Sequence, residues 1–357
     1  MTMTALANEV QIEARTVGSG RPCFVVAEIG VNHNGDPEIA HRMIDAIADA
    51  GADSVKFQTF SADEFVGDPN ETYEYESQGR RVRESMLDMF RRLELRRYEF
   101  AALFSHARER KLIPLSTGAD RAAIDLLDSL GAGAFKIGSD DLVYTPFLDY
   151  VARKGKPVIL STGMAGAADV VRAVDAVGAA GNRRIVLLHC VSLYPTPDES
   201  VNLRKIAALR DMFRCPVGFS DHSFGITAAL GAVALGAVAL EKHFTLDRNM
   251  PGPDHRFSAD PAELASLVRE TRRLERNLGD AGLKPAPGEA DMARLAHRSI
   301  VARVDLAEGH AIREDDLAFR RPGTGLKPFE MERLIGRRLR RAVAANTQLA
   351  YEMFDDR

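Results

Sequence analysis

PVGFSDHSFGITAALGAVALGAVALEKHF, residues 216–244, holds one full period of the architecture of this chain. PVGFSDH (216–222) and AVALEKHF (237–244) are apolar runs of strand length that end in polar residues, and residues 224–236 between them have helical length and composition. A run that is apolar at successive positions fits a strand covered on both faces, hence a parallel sheet with helices packed outside it. The longest apolar stretch, 226–240, is rich in Gly and Ala and runs directly into Glu241, Lys242 and His243. It therefore reads as a buried helix leading into a strand, not as a membrane span.

Working outward, the same rhythm recurs in FVVAEIG (24–30), SVKFQTF (54–60), LIPLSTG (112–118), AFKIGS (134–139), PVILSTG (157–163) and IVLLHCV (185–191), which brings the strands to eight. The first connection, residues 36–51, has Asp36 as N-cap, Pro37 at the first helical position and Gly51 just past the end, with Ile39, Met43, Ile44 and Ile47 on one face. Further helices are expected over 119–130, 145–154, 167–180, 201–213 and 261–278. Eight strands alternating with helices predict a (β/α)8 TIM barrel, an α/β fold. An open doubly wound sheet is the alternative, but no GxGxxG turn follows the first strand.

Strand two begins at 54 and strand three at 112, far more than one βα unit needs. The surplus, polar residues 61–84, is expected as a long loop over the barrel mouth that serves as a lid. After 280 the rhythm stops. We read residues 1–280 as the barrel, 281–293 (containing KPAPGEAD) as a linker, and 294–357 as a small β-rich domain of short strands and turns.

A chain of 357 residues suits one large domain plus a small one, and 45% hydrophobic with 27% charged residues is ordinary globular composition. The formal net charge of −4 and the lack of a basic stripe speak against nucleic acid as a partner. Cys23, Cys190 and Cys215 are scattered, and the N-terminal segment lacks a signal-peptide pattern. A soluble cytoplasmic protein with reduced thiols is the expectation, with no membrane partner.

Barrel enzymes work where strands end, and here those ends are unusually polar: Glu28, Lys56, Gln58, Ser116, Thr117, Lys136, Ser139, Ser161, Thr162, His189, Ser220 to His222, and Glu241 to His243. Lys56 and Lys136, with the hydroxyls of Thr117, Ser139 and Ser161, make an anion cradle suited to phosphate. A Schiff-base lysine, or lysines merely paired with an acid such as Glu28, are the competing readings. His222 and His243 end consecutive strands, and two neighbouring imidazoles suit a labile divalent ion. His33 and His189 fit structural roles as well. Neither HExxH nor GxSxG occurs, which argues against a zinc or serine hydrolase.

AEIGVNHNG (27–35), VKFQT (55–59), KIGS (136–139), LSTGM (160–164), LLHC (187–190), YPTP (194–197), GFSDHS (218–223), EKHFT (241–245) and MPGPDH (250–255) fall on separate strand ends in this order. Together they resemble the sialic-acid (N-acetylneuraminate) synthase family. HRSIVA (297–302) and DLAFRRPGTG (316–325) are similar to that family's C-terminal antifreeze-like SAF domain, so the likeness spans residues 22 to 350.

The resemblance implies a nonulosonic acid synthase that condenses phosphoenolpyruvate with an aldehyde amino sugar and water and releases phosphate. It implies a Mn2+ or Mg2+ ion on His222 and His243, and phosphoenolpyruvate on Lys56, Thr117, Lys136, Ser139, Ser161 and Ser220. The sugar would meet Gln58, Tyr194, Asp254 and Arg321, with Arg320 the neighbour that could replace Arg321. A homodimer is implied in which the SAF domain of one chain caps the barrel of the other. Glu28 and Asp141 are the candidates for handling the water, alongside the catalytic lysines Lys56 and Lys136.

Two places depart from the family: Ser139-Asp140-Asp141 where SGE is usual, and Ser192 where an asparagine precedes the tyrosine. The 61–84 segment also differs from the pattern associated with N-acetylmannosamine, so a diacetamido-trideoxyhexose of the legionaminate type is an equal candidate. Another phosphoenolpyruvate-dependent 3-deoxy-ulosonate synthase, acting on a different or phosphorylated sugar, is the alternative, though it gives the RRPG domain no purpose. An ice- or sugar-binding role for the tail fits poorly with its many Arg, Asp and Glu residues.

Overall fold

The computed structural model describes residues 5–355; the first four residues of the N-terminal segment and the last two of the tail lie outside them. Two compact units result, one running to Gly279 and the other beginning at Asp280.

In chain order the strands are β1 (Glu9–Ile12), β2 (Arg15–Gly18), β3 (Phe24–Gly30), β4 (Ser54–Thr59), β5 (Thr72–Ser77), β6 (Arg80–Ser85), β7 (Ile113–Gly118), β8 (Phe135–Ile137), β9 (Val158–Ser161), β10 (Ile185–Cys190), β11 (Val217–Asp221), β12 (Ala239–His243), β13 (Ser299–Ala302) and β14 (Leu317–Arg320). β3, β4 and β7 to β12 close into an eight-stranded barrel with every pair parallel, β12 returning to β3. The eight strands are those the apolar runs predict. Helices stand at Pro37–Asp49, Arg121–Ser129, Thr145–Arg153, Ala167–Ala179, Lys205–Phe213, Thr227–Ala234 and Pro261–Leu278, with Arg97–Glu109 in addition. Asp36 caps the first of these by accepting from the Glu38 N–H at 2.8 Å. The helix expected over 201–213 begins only at Lys205.

Two elements escape the apolar-run reading. The β1–β2 hairpin buries Val10, Ile12 and Val17 against Phe24, Val26, Ile113, Leu115, Ile159 and Val186, which stand at or near the starts of their strands. It plugs the barrel at the end opposite the polar strand ends. Each fully buried aliphatic side chain there is worth roughly 1.5–3 kcal/mol.

The second is the 61–84 segment, which is not a plain loop. It holds a short helix, Ala62–Phe65, and the β5–β6 hairpin, and it leads into the helix Met86–Leu93. Gln78 and Gly79, both at positive φ, make the two-residue turn. Glu74 faces Arg83 and Glu76 faces Arg81 across the ladder.

The strand period of two gives β11 and β12 two chemistries. Ser220, His222, Glu241 and His243 line the cavity at the barrel mouth. At the alternate positions Lys242 donates to Asp221 at 2.8 Å and to the Ser223 carbonyl at 2.5 Å, fully buried.

The second unit pairs β13 with β14 antiparallel around Ile300, Ile312, Leu317, Leu334, Leu339, Leu349 and Phe354. Residues 281–288 carry no helix or strand, but the helix Glu289–Ala296 begins in the expected linker and runs past its end at 293, with Glu289 and Asp291 in its first turn. Among the described residues no helix is long and apolar enough to cross a membrane, and the three cysteines are free and buried.

Candidate active site

Ladder register decides which polar side chains become neighbours. Glu28 on β3 lies opposite Lys56 on β4 and His243 on β12; Gln58 lies opposite Thr117, and Thr117 opposite Lys136. Ser220 on β11 lies opposite Glu241. A bulge in β3 between Glu28 and Gly30 turns the strand at this point, with Gly30 at positive φ. A Cβ on Gly30 would sit 2.6 Å from Glu28 Oε1 and 3.2 Å from the Gln58 amide, so glycine makes room for both acid and amide.

These residues meet in a cavity of about 410 Å³ at the C-terminal end of the barrel. On its floor Lys56 pairs with Glu28, donates to Thr117 Oγ1 at 2.9 Å and stands 3.9 Å from Glu241 Oε1. Lys136 is also 3.9 Å from Glu241 Oε1, and Ser220 donates to that oxygen at 3.0 Å. Burial pushes the Lys56 ammonium down to about 7, against the pull of Glu241. For Glu241 burial works toward the acid form, but Lys136 and Lys56 outweigh it and keep the carboxylate charged. Ser161 Oγ is buried without a hydrogen-bond partner, and Ser139 Oγ accepts from the Gly163 N–H at 2.9 Å. Two buried cations ringed by short hydroxyls form a site for a multiply charged anion.

Beside this floor stand two buried imidazoles, His222 and His243, with ring centroids 5.2 Å apart. Their histidine chemistry differs. Burial, reinforced by His222 and the nearby lysines, holds His243 well below its ordinary value, so it is neutral; its Nδ1 is buried without a hydrogen bond, 3.5 Å from Asp254. His222 Nδ1 lies 3.1 Å from the Val191 carbonyl, the arrangement that frees Nε2 of a metal-ligating histidine. A pair of adjacent, sequestered imidazoles with an orphaned nitrogen fits a divalent metal. Among the described residues no cluster of three or more His, Cys, Asp or Glu offers a fuller ligand set. Water and substrate would complete the coordination. Tyr194 packs on His222 with ring centroids 4.4 Å apart, and Phe257 packs on His243 at 5.2 Å.

Burial, with Asp140 and Asp120 adding, pushes the Asp141 carboxyl up to about 7, and burial raises Asp254 to about 6. Of the residues singled out from the sequence, Glu28, Lys56, Gln58, Thr117, Lys136, Ser139, Asp141, Ser161, Tyr194, Ser220, His222 and His243 all line this one cavity. Asp254 joins it through His243. Arg321 belongs to the other unit and Arg320 ends β14, so the barrel geometry contains neither.

Sequence reasoning gives three features of the site no role. Glu241 bridges the two lysines, although its i,i+2 spacing from His243 already placed both on one strand face. Cys190 lies 3.9 Å from His222 Nδ1. Phe60 just past β4, Phe65 and Tyr73 in the segment read as a polar loop, and Phe90 in the helix that follows it wall the cavity.

An eight-stranded barrel with buried lysines and paired histidines at its mouth defines a class of anion-handling barrel enzymes. Residues 43–282 match the NeuB family and residues 297–355 the SAF domain, and the chain belongs to the NeuB family. It is 41% identical to the N,N'-diacetyllegionaminic acid synthase of Legionella pneumophila over 94% of this chain and 95% of that one. It is 39% identical to the synthase of the same name from Campylobacter jejuni, over 88% of this chain and 95% of that one. The solved N-acetylneuraminic acid synthetase of Leptospira borgpetersenii, in complex with citrate, superposes with a TM-score of 0.73 at 35% identity, covering 81% of this chain and 96% of that one.

Proposed function

We propose that this chain is a nonulosonic acid synthase, condensing phosphoenolpyruvate with an open-chain aldehyde amino sugar and water to give a nonulosonic acid and phosphate. The observation that carries the reading is the buried pair Lys56 and Lys136 set about one Glu241 oxygen, directly beside two imidazoles. The acceptor is N-acetylmannosamine or a diacetamido-trideoxyhexose. The names of the Legionella and Campylobacter relatives support the second.

Phosphate and carboxylate of phosphoenolpyruvate would sit on Lys56, Lys136 and the hydroxyls of Thr117, Ser139, Ser161 and Ser220. Such an anion restores the charge that burial draws from Lys56. His222 and His243 would hold a divalent Mn2+ or Mg2+ ion, which supplies Lewis-acid polarisation of an aldehyde oxygen when bound. Gln58, Tyr194 and Asp254 orient the sugar so that its aldehyde carbon meets the enol carbon.

The enol electron pair forms the new carbon–carbon bond and the aldehyde oxygen takes a proton. Water adds to the carbon left electron-poor and loses one proton; phosphate then departs with the carbon–oxygen bonding pair as the hydroxyl left on that carbon gives up its own proton and becomes the keto oxygen. We assign the giving and taking of these protons to Asp141, which keeps its proton up to about pH 7, and to Glu28, beside Lys56. A cytoplasmic homodimer completes the reading, with Arg321 of one copy's SAF domain reaching the other copy's sugar. The family resemblance supports that part.

Phosphate release from phosphoenolpyruvate with Mn2+, across a panel of aldehyde sugars, with and without chelator, tests the proposal. Release with one sugar, lost under chelator, and a product heavier by a pyruvate unit is the expected result. Failure of phosphoenolpyruvate to bind at all would overturn it.

A further inference from the structure

The cavity has two ends of different chemistry. Among the described residues its only lysines or arginines are Lys56 and Lys136, both on the floor. The elements that follow β4 instead contribute rings: Phe60 and Phe90 meet edge-on with centroids 5.3 Å apart, and Phe65 and Phe90 at 5.0 Å. Val31, Met89 and Leu93 are buried behind them, while Phe65 remains 39% exposed. Tyr73, stacked on Tyr75, adds a fourth ring to the cavity wall.

The hairpin that carries Tyr73 is fixed in place. Gln78 donates to the Asn249 carbonyl at 2.9 Å, the Gly252 N–H donates to Ser77 Oγ at 3.1 Å, and Arg256 donates to Glu76 at 2.6 Å. The hairpin is thereby tied to the loop that carries Asp254 and Phe257, next to His243. Tyr73 is held by these ties, and Phe60, Phe65 and Phe90 hold one another by ring packing, so the wall is preorganised for its ligand.

Resting on the synthase reading above, we propose that Phe60, Phe65, Tyr73 and Phe90 select the acceptor: they take the methyl-bearing end of an N-acylated deoxy sugar and refuse a sugar phosphorylated at its terminal carbon. The aldehyde is committed to the imidazoles and the anion to the floor, so the remaining carbons of the sugar run out toward the rings. A terminal methyl or an acetamido methyl is buried there. A phosphate would face aromatic carbon, with Asp140 and Asp141 lining the same cavity and no lysine or arginine of the wall to receive it, Arg321 of the other copy being assigned above to the sugar itself.

The experiment uses the full chain with Mn2+ and phosphoenolpyruvate and compares a diacetamido-trideoxyhexose, N-acetylmannosamine and the terminal phosphate ester of the latter. Differences of one apolar group in such a pocket are worth about ten- to a hundredfold in kcat/KM. The deoxy sugar should lead by that margin and the phosphate ester should come last. Phe65→Ala should raise the KM for the deoxy sugar about tenfold and narrow its lead, with the KM for phosphoenolpyruvate unmoved. Phe65→Leu should recover most of the loss. Because Phe90 is part of the packing of the lid, Phe90→Ala is read only alongside a thermal melt, and the partly exposed Phe65 decides the outcome. A lead for the phosphate ester, or a sugar ranking unchanged in Phe65→Ala, overturns the assignment of the wall. No phosphate release with any sugar overturns the synthase reading and the wall together.

Discussion

The floor of the cavity is carried by barrel strands whose neighbours are fixed by ladder register, Glu28 beside Lys56 and Thr117 beside Lys136. Its rim is carried by the segment that follows β4, two helices and the inserted hairpin between them, the hairpin tied down by three hydrogen bonds to one loop, one of them an exposed ion pair. The floor is charged, buried and sequestered from water; the rim is aromatic and partly exposed. Shifting the floor would break many strand hydrogen bonds at once, so it suits the steps common to every acceptor. The rim can change its side chains without touching the barrel, so it suits the choice among acceptors.

If that division is right, variants should fall into two groups. His243→Ala, beside the floor, should reduce turnover about a thousandfold or more while the thermal melt stays cooperative; near-normal turnover would remove the metal from the mechanism. Lys136→Met should come next, raising the KM for phosphoenolpyruvate about ten- to a hundredfold, the worth of a charge-assisted hydrogen bond. An effect confined to the sugar would mean the floor and rim have been assigned the wrong way round.

Asp141→Asn probes a proton at the cavity edge. The folded carboxyl titrates near 7 and the unfolded one near 3.8, so the unfolded chain gives up this proton first and folding stability falls as pH rises between those values. The variant should melt higher than the parent at pH 8, by no more than about a degree or two once solvent screening is counted, and lose that advantage at pH 4. An advantage that is the same at both pH values would deny the raised titration. Glu76→Ala on the rim should do least. It removes an exposed pair with Arg256 worth at most about 1 kcal/mol, and it should show as a small rise in the KM for the sugar. A loss of turnover rivalling that of His243→Ala would erase the distinction between floor and rim.

The barrel was legible because a strand covered on both faces needs successive apolar residues, and eight such runs stand out from helical intervals. The β1–β2 hairpin was not: four-residue strands such as EVQI and RTVG are too short for alternation to declare itself. The β5–β6 hairpin had both signals, the alternation of TYEYES and a Gln-Gly turn, but its charges pointed to a loop. Most candidate site residues were readable because ionisable groups at the ends of apolar strands demand a reason. Glu241 had no role until its distance to both lysines was known. Phe60, Phe65 and Phe90 were hidden because an apolar side chain in a connecting segment reads as ordinary packing. Arg321 is a residue whose setting depends on more than the barrel, and its sequence context alone carries the expectation.

The buried pair Asp221–Lys242 bears on how this chain avoids misassembly. It occupies the strand positions that alternate with Ser220, His222, Glu241 and His243, on the two strands that hold both imidazoles. Slipping β12 by one residue would turn Lys242 toward the cavity and drive Glu241 and His243 into the apolar layer beneath the helices. Asp221 would then be left as a buried charge without its partner, a fault that costs about 3–5 kcal/mol. The pair therefore works as a lock on alignment, so that a barrel closed around the wrong register is penalised as strongly as one with a hole in its core.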